Sequence, residues 1–485
     1  MKKRTKIRKK IFRRFHIGRR IKPHRGYYSQ KRKSARKVDK IMLACRKFER
    51  NVNLVLEHIF PNVDANVMKS LSSCKDESVC HIMMKQEIAR HHHGFKKAQN
   101  ILIDLMLSEQ NTARKLKVLI KGTKNHNVKP ILKAKLDFCN YKLDVYRHLA
   151  DTIFWLLIGG KLHLARRFYH NVPGEKDLIE TNYESVLSVA KEINATPLNF
   201  VLLTDITSYV QLGDLVGIVD GRHTVIEVKE GKRNHEMLND IVGMLNSQDE
   251  LKSKAGRLWS KYSNSKDAKQ LSRMLKQMST AYAEIGIMTS DKGKDPVSGK
   301  NISISTPKLD TEYYDDKLHL LELQLHKRKR WAYDVVEGCL HIGLYRDQMR
   351  GMGPFIFDSL AKDIEHKYII DARLAFKALG TPIFCWPFSK ELIMDIIMGR
   401  TLMLMMLDMD KFMKLLGDTC CFASRSETTK IIESYNAKAL CIFDNKAIKY
   451  GKDVFLSPGA IDKILFSHIS PHYMAYALLN EYQES

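Results

Sequence analysis

The sequence predicts a multi-part α/β chain. An α/β core, a mixed sheet flanked by helices, is expected over residues 173–348, a helical module at 39–172 precedes it, and a C-terminal α/β region of unassigned role fills 349–485. Three observations predict this. Short apolar runs of strand length alternate with helical stretches between 173 and 348. Apolar residues recur three and four apart through Val38–Ile59, His81–Leu107 and Ile131–Phe168. Residues 1–38 form an arm too basic to bury a core alone. At roughly 100–200 residues per domain, 485 residues suggest about three domains.

The formal charge is +27, and residues 1–37 carry 18 Lys and Arg with no Asp or Glu. Two thirds of the excess therefore sits in the arm, and the body is mildly basic. Phe12, Phe15, Tyr27 and Tyr28 lie among these cations. Such a run can neutralise phosphates while its aromatics stack on bases. The expected partner is nucleic acid, DNA ahead of RNA, with Arg13, Arg14, Arg19, Arg20, Lys31 and Arg32 as candidate contacts. A solvated tail, or an arm docked on an acidic partner, is the plainer alternative. A protein partner or a homo-oligomer stays open.

Several classes are excluded. No uncharged apolar run reaches the ~18–20 residues that span a bilayer. Ile153–Ile158 is too short, and Asp395 and Arg400 interrupt Leu392 to Leu407. No apolar segment follows the basic N-terminus, so no secretory signal is read. Nine scattered cysteines do not make a disulfide framework. A soluble protein of a reducing cytoplasm, without a membrane partner, is the expectation.

Within 173–348, Asn171-Val172-Pro173-Gly174 marks a break, Asn182–Ile193 reads as a helix and Phe200–Leu203 as a strand. Two strands, Asp214–Asp220 and His223–Lys229, flank Asp220-Gly221. A helical stretch follows from about 235 to 285. Ile302–Ser305 reads as a strand, Asp315–Arg330 as a helix and Tyr333–Tyr345 as strand-like. Beyond 350, Glu391–Leu416 is Met-rich at helical spacing, and Ala439–Phe443 and Val454–Leu456 are candidate strands.

Asp-Gly between apolar runs is a hairpin signal, because a two-residue type I′ turn needs positive φ at both positions. With Asp220 and Gly221 as that turn, Val219 faces Arg222 and every cross-strand pair sums to 441. Asp214 then lies opposite Glu227, with Cβ atoms about 4.5–5.5 Å apart on one sheet face. Carboxylates that close repel unless a cation lies between them, and hard oxygens suit Mg²⁺ or Mn²⁺. Lys229 is two residues beyond Glu227 and so points to the same face. Its ammonium can orient an attacking water or offset charge on a phosphoryl oxygen. The Val228 carbonyl is a further candidate ligand.

Asp214 with Glu227-Val228-Lys229 resembles the PD-(D/E)XK nuclease superfamily, the restriction-endonuclease-like fold. The resemblance covers about 175–345 and has Gly213 where the family's name has proline. It implies an α/β nuclease core: a metal-dependent phosphodiesterase, an endonuclease ahead of an exonuclease, with Asp214 and Glu227 as metal ligands and Lys229 as catalytic lysine. It also implies an acidic residue on the preceding helix, best matched by Glu184 and next by Glu180, and a Gln or Lys on the following helix. Gln270, Arg273 and Gln277 form one polar stripe there, with Gln277 preferred. A solvated face is the alternative for both helices. Lys232 and Arg233 would contact phosphates or simply form a basic loop. Asp205 would support the site from behind or cap a turn.

By analogy, a nuclease core set among other modules resembles prokaryotic antiviral defence or DNA-processing effectors. The competing function is a catalytically inactive nucleic-acid-binding or complex-assembly protein with a nuclease-like core. Zinc is set aside, because Cys74, Cys80, His81 and His91–His93 lack paired spacing.

Overall fold

The computed structural model describes residues 45–61, 76–169, 177–229, 234, 236–237, 240, 258–290, 292–294, 299, 301–303, 310–326, 329–360, 362–417, 420–422, 442–443, 446–450 and 454–483. The fold is mixed α/β with several small antiparallel sheets. The arm, Lys232 and Arg233 lie outside the described residues, as do Arg13, Arg14, Arg19, Arg20, Lys31 and Arg32. Contacts divide the chain into two units. One takes the described residues of 50–123 and 139–306, and the other those of 307–485 with 124–138 and the residues before 50.

The helical periodicity of 39–172 becomes α1 (Arg46–Ile59), α2 (Glu77–Gly122), α3 (Lys129–Leu157) and α4 (Leu162–Arg167). Asp76 caps α2 by accepting from the Ser78 and Val79 amides. Gly159 and Gly160, both at positive φ, end α3 and turn the chain into α4. His92 is buried on α2 against Phe95 and Phe200, and burial pushes its imidazole down to about 4. That is a neutral packing histidine.

In the first unit, α5 (Tyr183–Ile193) leads to a three-stranded sheet of β1 (Phe200–Leu203), β2 (Leu215–Val219) and β3 (Arg222–Ile226), in that order. Both pairings are antiparallel. No parallel pair occurs among the described strands, so the expected mixed sheet is not seen there. The connections explain it. The stretch from Leu203 to Leu215 and the two-residue turn bring the chain straight back, whereas a parallel pair needs a longer crossover. The outer edge of β1 is closed by side-chain amides: Asn194 Oδ1 accepts from the Val201 N–H at 2.8 Å, and Gln99 Oε1 from the Leu203 N–H at 2.9 Å. The following helix is α6 (Ser265–Ser290).

The backbones of β1 and β2 approach closely at Gly217. A Cβ there would lie 2.0 Å from the Phe200 carbonyl oxygen and 2.7 Å from Val201 Cα. Backbone cannot yield as a flexible side chain does. Gly217→Ala is therefore expected to cost about 3 kcal/mol, the top of the usual overpacking range. A fall in the urea midpoint at unchanged slope would report it.

In the second unit, β6 (Trp331–Val336), β7 (Leu340–Arg346), β8 (Lys367–Asp371) and β9 (Thr401–Asp408) form an antiparallel sheet in the order β6-β7-β9-β8; the shorter β4 (Lys292–Lys294) and β5 (Asn301–Ser303) pair in the first unit. The Tyr333–Tyr345 stretch is thus a hairpin, turned by Glu337 and Gly338 at positive φ. The Met-rich stretch divides: Lys390–Ile397 is helical, but β9 is a strand, contrary to its helical spacing. Flanked by β7 and β8 and buried on both faces, β9 shows no alternation, and such a run reads equally as buried helix.

Candidate active site

The hairpin has the expected register, Val219 opposite Arg222 through Leu215 opposite Ile226, with Asp220 at φ 49° and Gly221 at φ 75°. Asn199 fixes the turn: its Oδ1 accepts from the Asp220 N–H at 2.9 Å. At the other end the ladder stops at Leu215–Ile226: the Asp214 N–H donates to the Ile226 carbonyl at 2.9 Å, one residue out of register, so Asp214 and Glu227 lie just beyond the paired strands and are not the direct cross-strand pair expected.

The segment before Asp214 is anchored from both sides. Thr204 donates its N–H to the Asp214 carbonyl (3.0 Å) and its hydroxyl to the Gly213 carbonyl (2.7 Å). From α3, Arg147 donates to the Asp205 and Thr207 carbonyls, and Asp151 accepts from the Ser208 N–H at 2.9 Å. Gly213 has φ +74°. Proline's ring holds φ near −65°, so proline is excluded at this position. The departure from the family's name has a local backbone cause.

Four of the expected residues come together. The Lys229 ammonium donates to Glu227 Oε2 and to Gln277 Oε1, both at 2.9 Å. Lys229 and Glu227 are largely shielded, their side chains 13% and 21% exposed. Asp214 Oδ2 accepts from the Val228 N–H at 2.7 Å, which ties the two strand ends together. Burial, and then the Glu227 charge, push the Asp214 carboxyl up to about 6 against the opposing pull of the Val228 N–H and Lys229; Asp205 adds a further upward push. The amide of Gln277 reaches Lys229 because Leu271, Met274 and Leu275 seat the other face of α6 on Met237, Leu258 and Tyr262.

The other candidates fall elsewhere. Glu184, in the first turn of α5, is exposed, and its recorded hydrogen bond is from the Tyr183 hydroxyl at 3.2 Å. Among the described contacts it makes none with the cluster. Glu180 pairs with Arg114 at 2.9 Å. Gln270 faces Asn234 (3.2 Å) and Arg273 rather than Lys229. The third carboxylate acting on Asp214 is Asp205, from the 3₁₀ turn Thr204–Ile206 that follows β1. The resemblance ranked the helix carboxylate first, since it implies an acidic residue on the preceding helix. The signal for Asp205 was its position just before the hairpin.

No family model, curated protein or solved structure matches the chain. The site rests on its own geometry. Among the described residues no helix is long and apolar enough to cross a membrane, and no three His, Cys, Asp or Glu side chains converge on one point. The pair still suits a hard cation. Among the described hydrogen bonds one oxygen of Asp214 and one of Glu227 accept none. Mg²⁺ commonly takes only one or two carboxylates and completes its shell with water and substrate phosphate.

Proposed function

We propose that this chain is a metal-dependent nuclease that hydrolyses phosphodiester bonds in DNA, as an endonuclease. One observation carries the reading: a shielded lysine amine is clamped between Glu227 and Gln277 beside a half-buried, mutually repelling carboxylate pair. A solvated hairpin has no physical need for that arrangement. Asp214, Glu227 and the Val228 carbonyl would hold Mg²⁺ or Mn²⁺. When bound, the cation would offset charge building on the phosphate and make water easier to deprotonate.

The chain's own residues do the rest. Glu227 and Gln277 use two of the donors of the Lys229 ammonium, which fixes the direction of the third toward an attacking water or a phosphoryl oxygen. The shielded setting strengthens that electrostatic contact relative to one in water. The arm of 18 cations supplies sequence-independent grip on phosphate, so affinity should fall steeply with salt.

Gln277 is a positioning residue in this scheme. Gln277→Ala should lower the turnover rate about tenfold with little change in KM, and Gln277→Glu should shift the lower limb of the pH–rate profile. Mn²⁺ binding followed by electron paramagnetic resonance tests the site without cleavage. One tight ion per chain is expected, lost in Asp214→Ala; equal binding by both proteins would refute the metal assignment.

A further inference from the structure

The unit that holds the carboxylates also holds a largely apolar cavity of about 470 Å³. That lies in the size range of small-molecule sites, about 300–1,000 Å³. Its lining includes Val216 and Val225 of the hairpin, Phe154 from the end of α3, Leu164 of α4, Phe168 and Ile285 of α6.

Its placement is the informative part. Val216 and Val225 are a cross-strand pair. It is the pair next to Leu215–Ile226, where the ladder ends and the chain passes into Asp214 on one side and Glu227 on the other. Helix α6 confirms the direction. Gln277 contacts Lys229, and Ile285, eight residues and about 12 Å further along the helix, lines the cavity. From Lys229 back to Val225 is at most a comparable ~13 Å of extended chain. The helix and the strand thus run antiparallel over one continuous surface, polar at Lys229 and apolar at Val225. Arg222, exposed on β3, gives the apolar end a cationic edge.

A nucleotide has this sequence of properties, an anionic phosphate and, one sugar away, a flat apolar base. We infer that the cavity is a nucleobase pocket: a base one or two nucleotides from the scissile phosphate leaves its stack and inserts between half-buried Ile285 and Val225, over the buried Phe154 and Phe168 rings, while Arg222 meets a neighbouring phosphate. The inference rests on the nuclease reading for its choice of ligand. Turning a base out of a duplex costs a few kcal/mol and costs least where the strand is already unpaired. The site would then favour single-stranded or mismatched DNA over perfect duplex.

The test compares the full chain's affinity for a short single-stranded DNA oligonucleotide with its affinity for the same oligonucleotide made abasic throughout, by fluorescence anisotropy in EDTA. The phosphates are identical, so the base is the only variable. The intact strand should bind about tenfold tighter. Ile285→Trp, which fills the cavity from a half-buried position, should reduce that preference at least threefold and leave the melting temperature unchanged, any remainder coming from the arm's aromatics; Val225→Trp is the second filled variant. Equal affinity of wild type for both strands, or a preference that filling leaves undiminished, overturns the pocket. If the preference is present and filling reduces it, but Mg²⁺ elicits no cutting, the pocket stands and the nuclease reading falls. If cutting occurs without the preference, the reverse holds.

Discussion

Lys229→Met should reduce DNA cleavage by about 10²–10³-fold, the usual loss when one preorganised donor to a developing charge is removed. The same variant should keep its Mn²⁺ affinity within about threefold, because Lys229 lies beside the ligands and is not one of them. Methionine approximates the lysine stem, so the shielded slot stays filled. Glu227 Oε2 and Gln277 Oε1 would each lose their 2.9 Å partner. Arginine should rescue poorly: its planar fork cannot place one donor toward each oxygen and a third toward substrate as a compact ammonium does. A variant that cut at the wild-type rate would remove the lysine from the chemistry.

The second large effect is on stability, and its sign depends on pH. Asp214 titrates at about 6 in the folded chain, against an ordinary 3.8. Below pH 3.8 both folded and unfolded chains hold the proton, and the raised value has no effect. Between 3.8 and about 6 the unfolded chain releases the proton first, so folding becomes less favourable as pH rises. Above about 6 the cost is complete. At 1.36 kcal/mol per unit the full conversion is roughly 3 kcal/mol, which partial solvation of the site reduces to about 1–2 kcal/mol. Metal-free Asp214→Asn should therefore be more stable than wild type at pH 7.5 by that amount, and equal to it at pH 3.5. Saturating Mg²⁺ should reverse the order at pH 7.5, since a ligand of the folded state stabilises only the protein that binds it. Urea midpoints at the two pH values, with Mg²⁺ or EDTA, measure all of this. A destabilised Asp214→Asn in EDTA at pH 7.5 would mean that the pair is not under repulsion.

The hairpin was legible in the sequence because its information is local. Asp220-Gly221 needs positive φ at both positions, and one turn fixes every pairing of β2 and β3 through the period of two. Gln277 was legible for a similar reason, since Leu271, Met274 and Leu275 mark the buried face of α6 and leave the amide on the other. Glu184 and Asp205 exchanged importance because neither lies on the hairpin. Which carboxylate reaches Asp214 depends on how the chain leaves β1, and Arg147 and Asp151, more than fifty residues earlier, set that path. Periodicity does not record such distant anchors. Gly213 shows the same limit: its φ of +74° answers to the Thr204 bonds on one side and the hairpin on the other. In β9 the apolar pattern was clear but its period was not, because burial on both faces removes the alternation that distinguishes strand from helix.

The most direct measurement of the central claim is cleavage by the full chain, Asp214→Ala and Lys229→Ala on linear, nicked and single-stranded DNA and on RNA, each with Mg²⁺ or EDTA. Wild type should cut DNA with Mg²⁺, single strands ahead of duplex, and not in EDTA, and both variants should lose at least about 10²-fold. Wild type that cuts nothing, or variants that cut as fast as wild type, would contradict that claim.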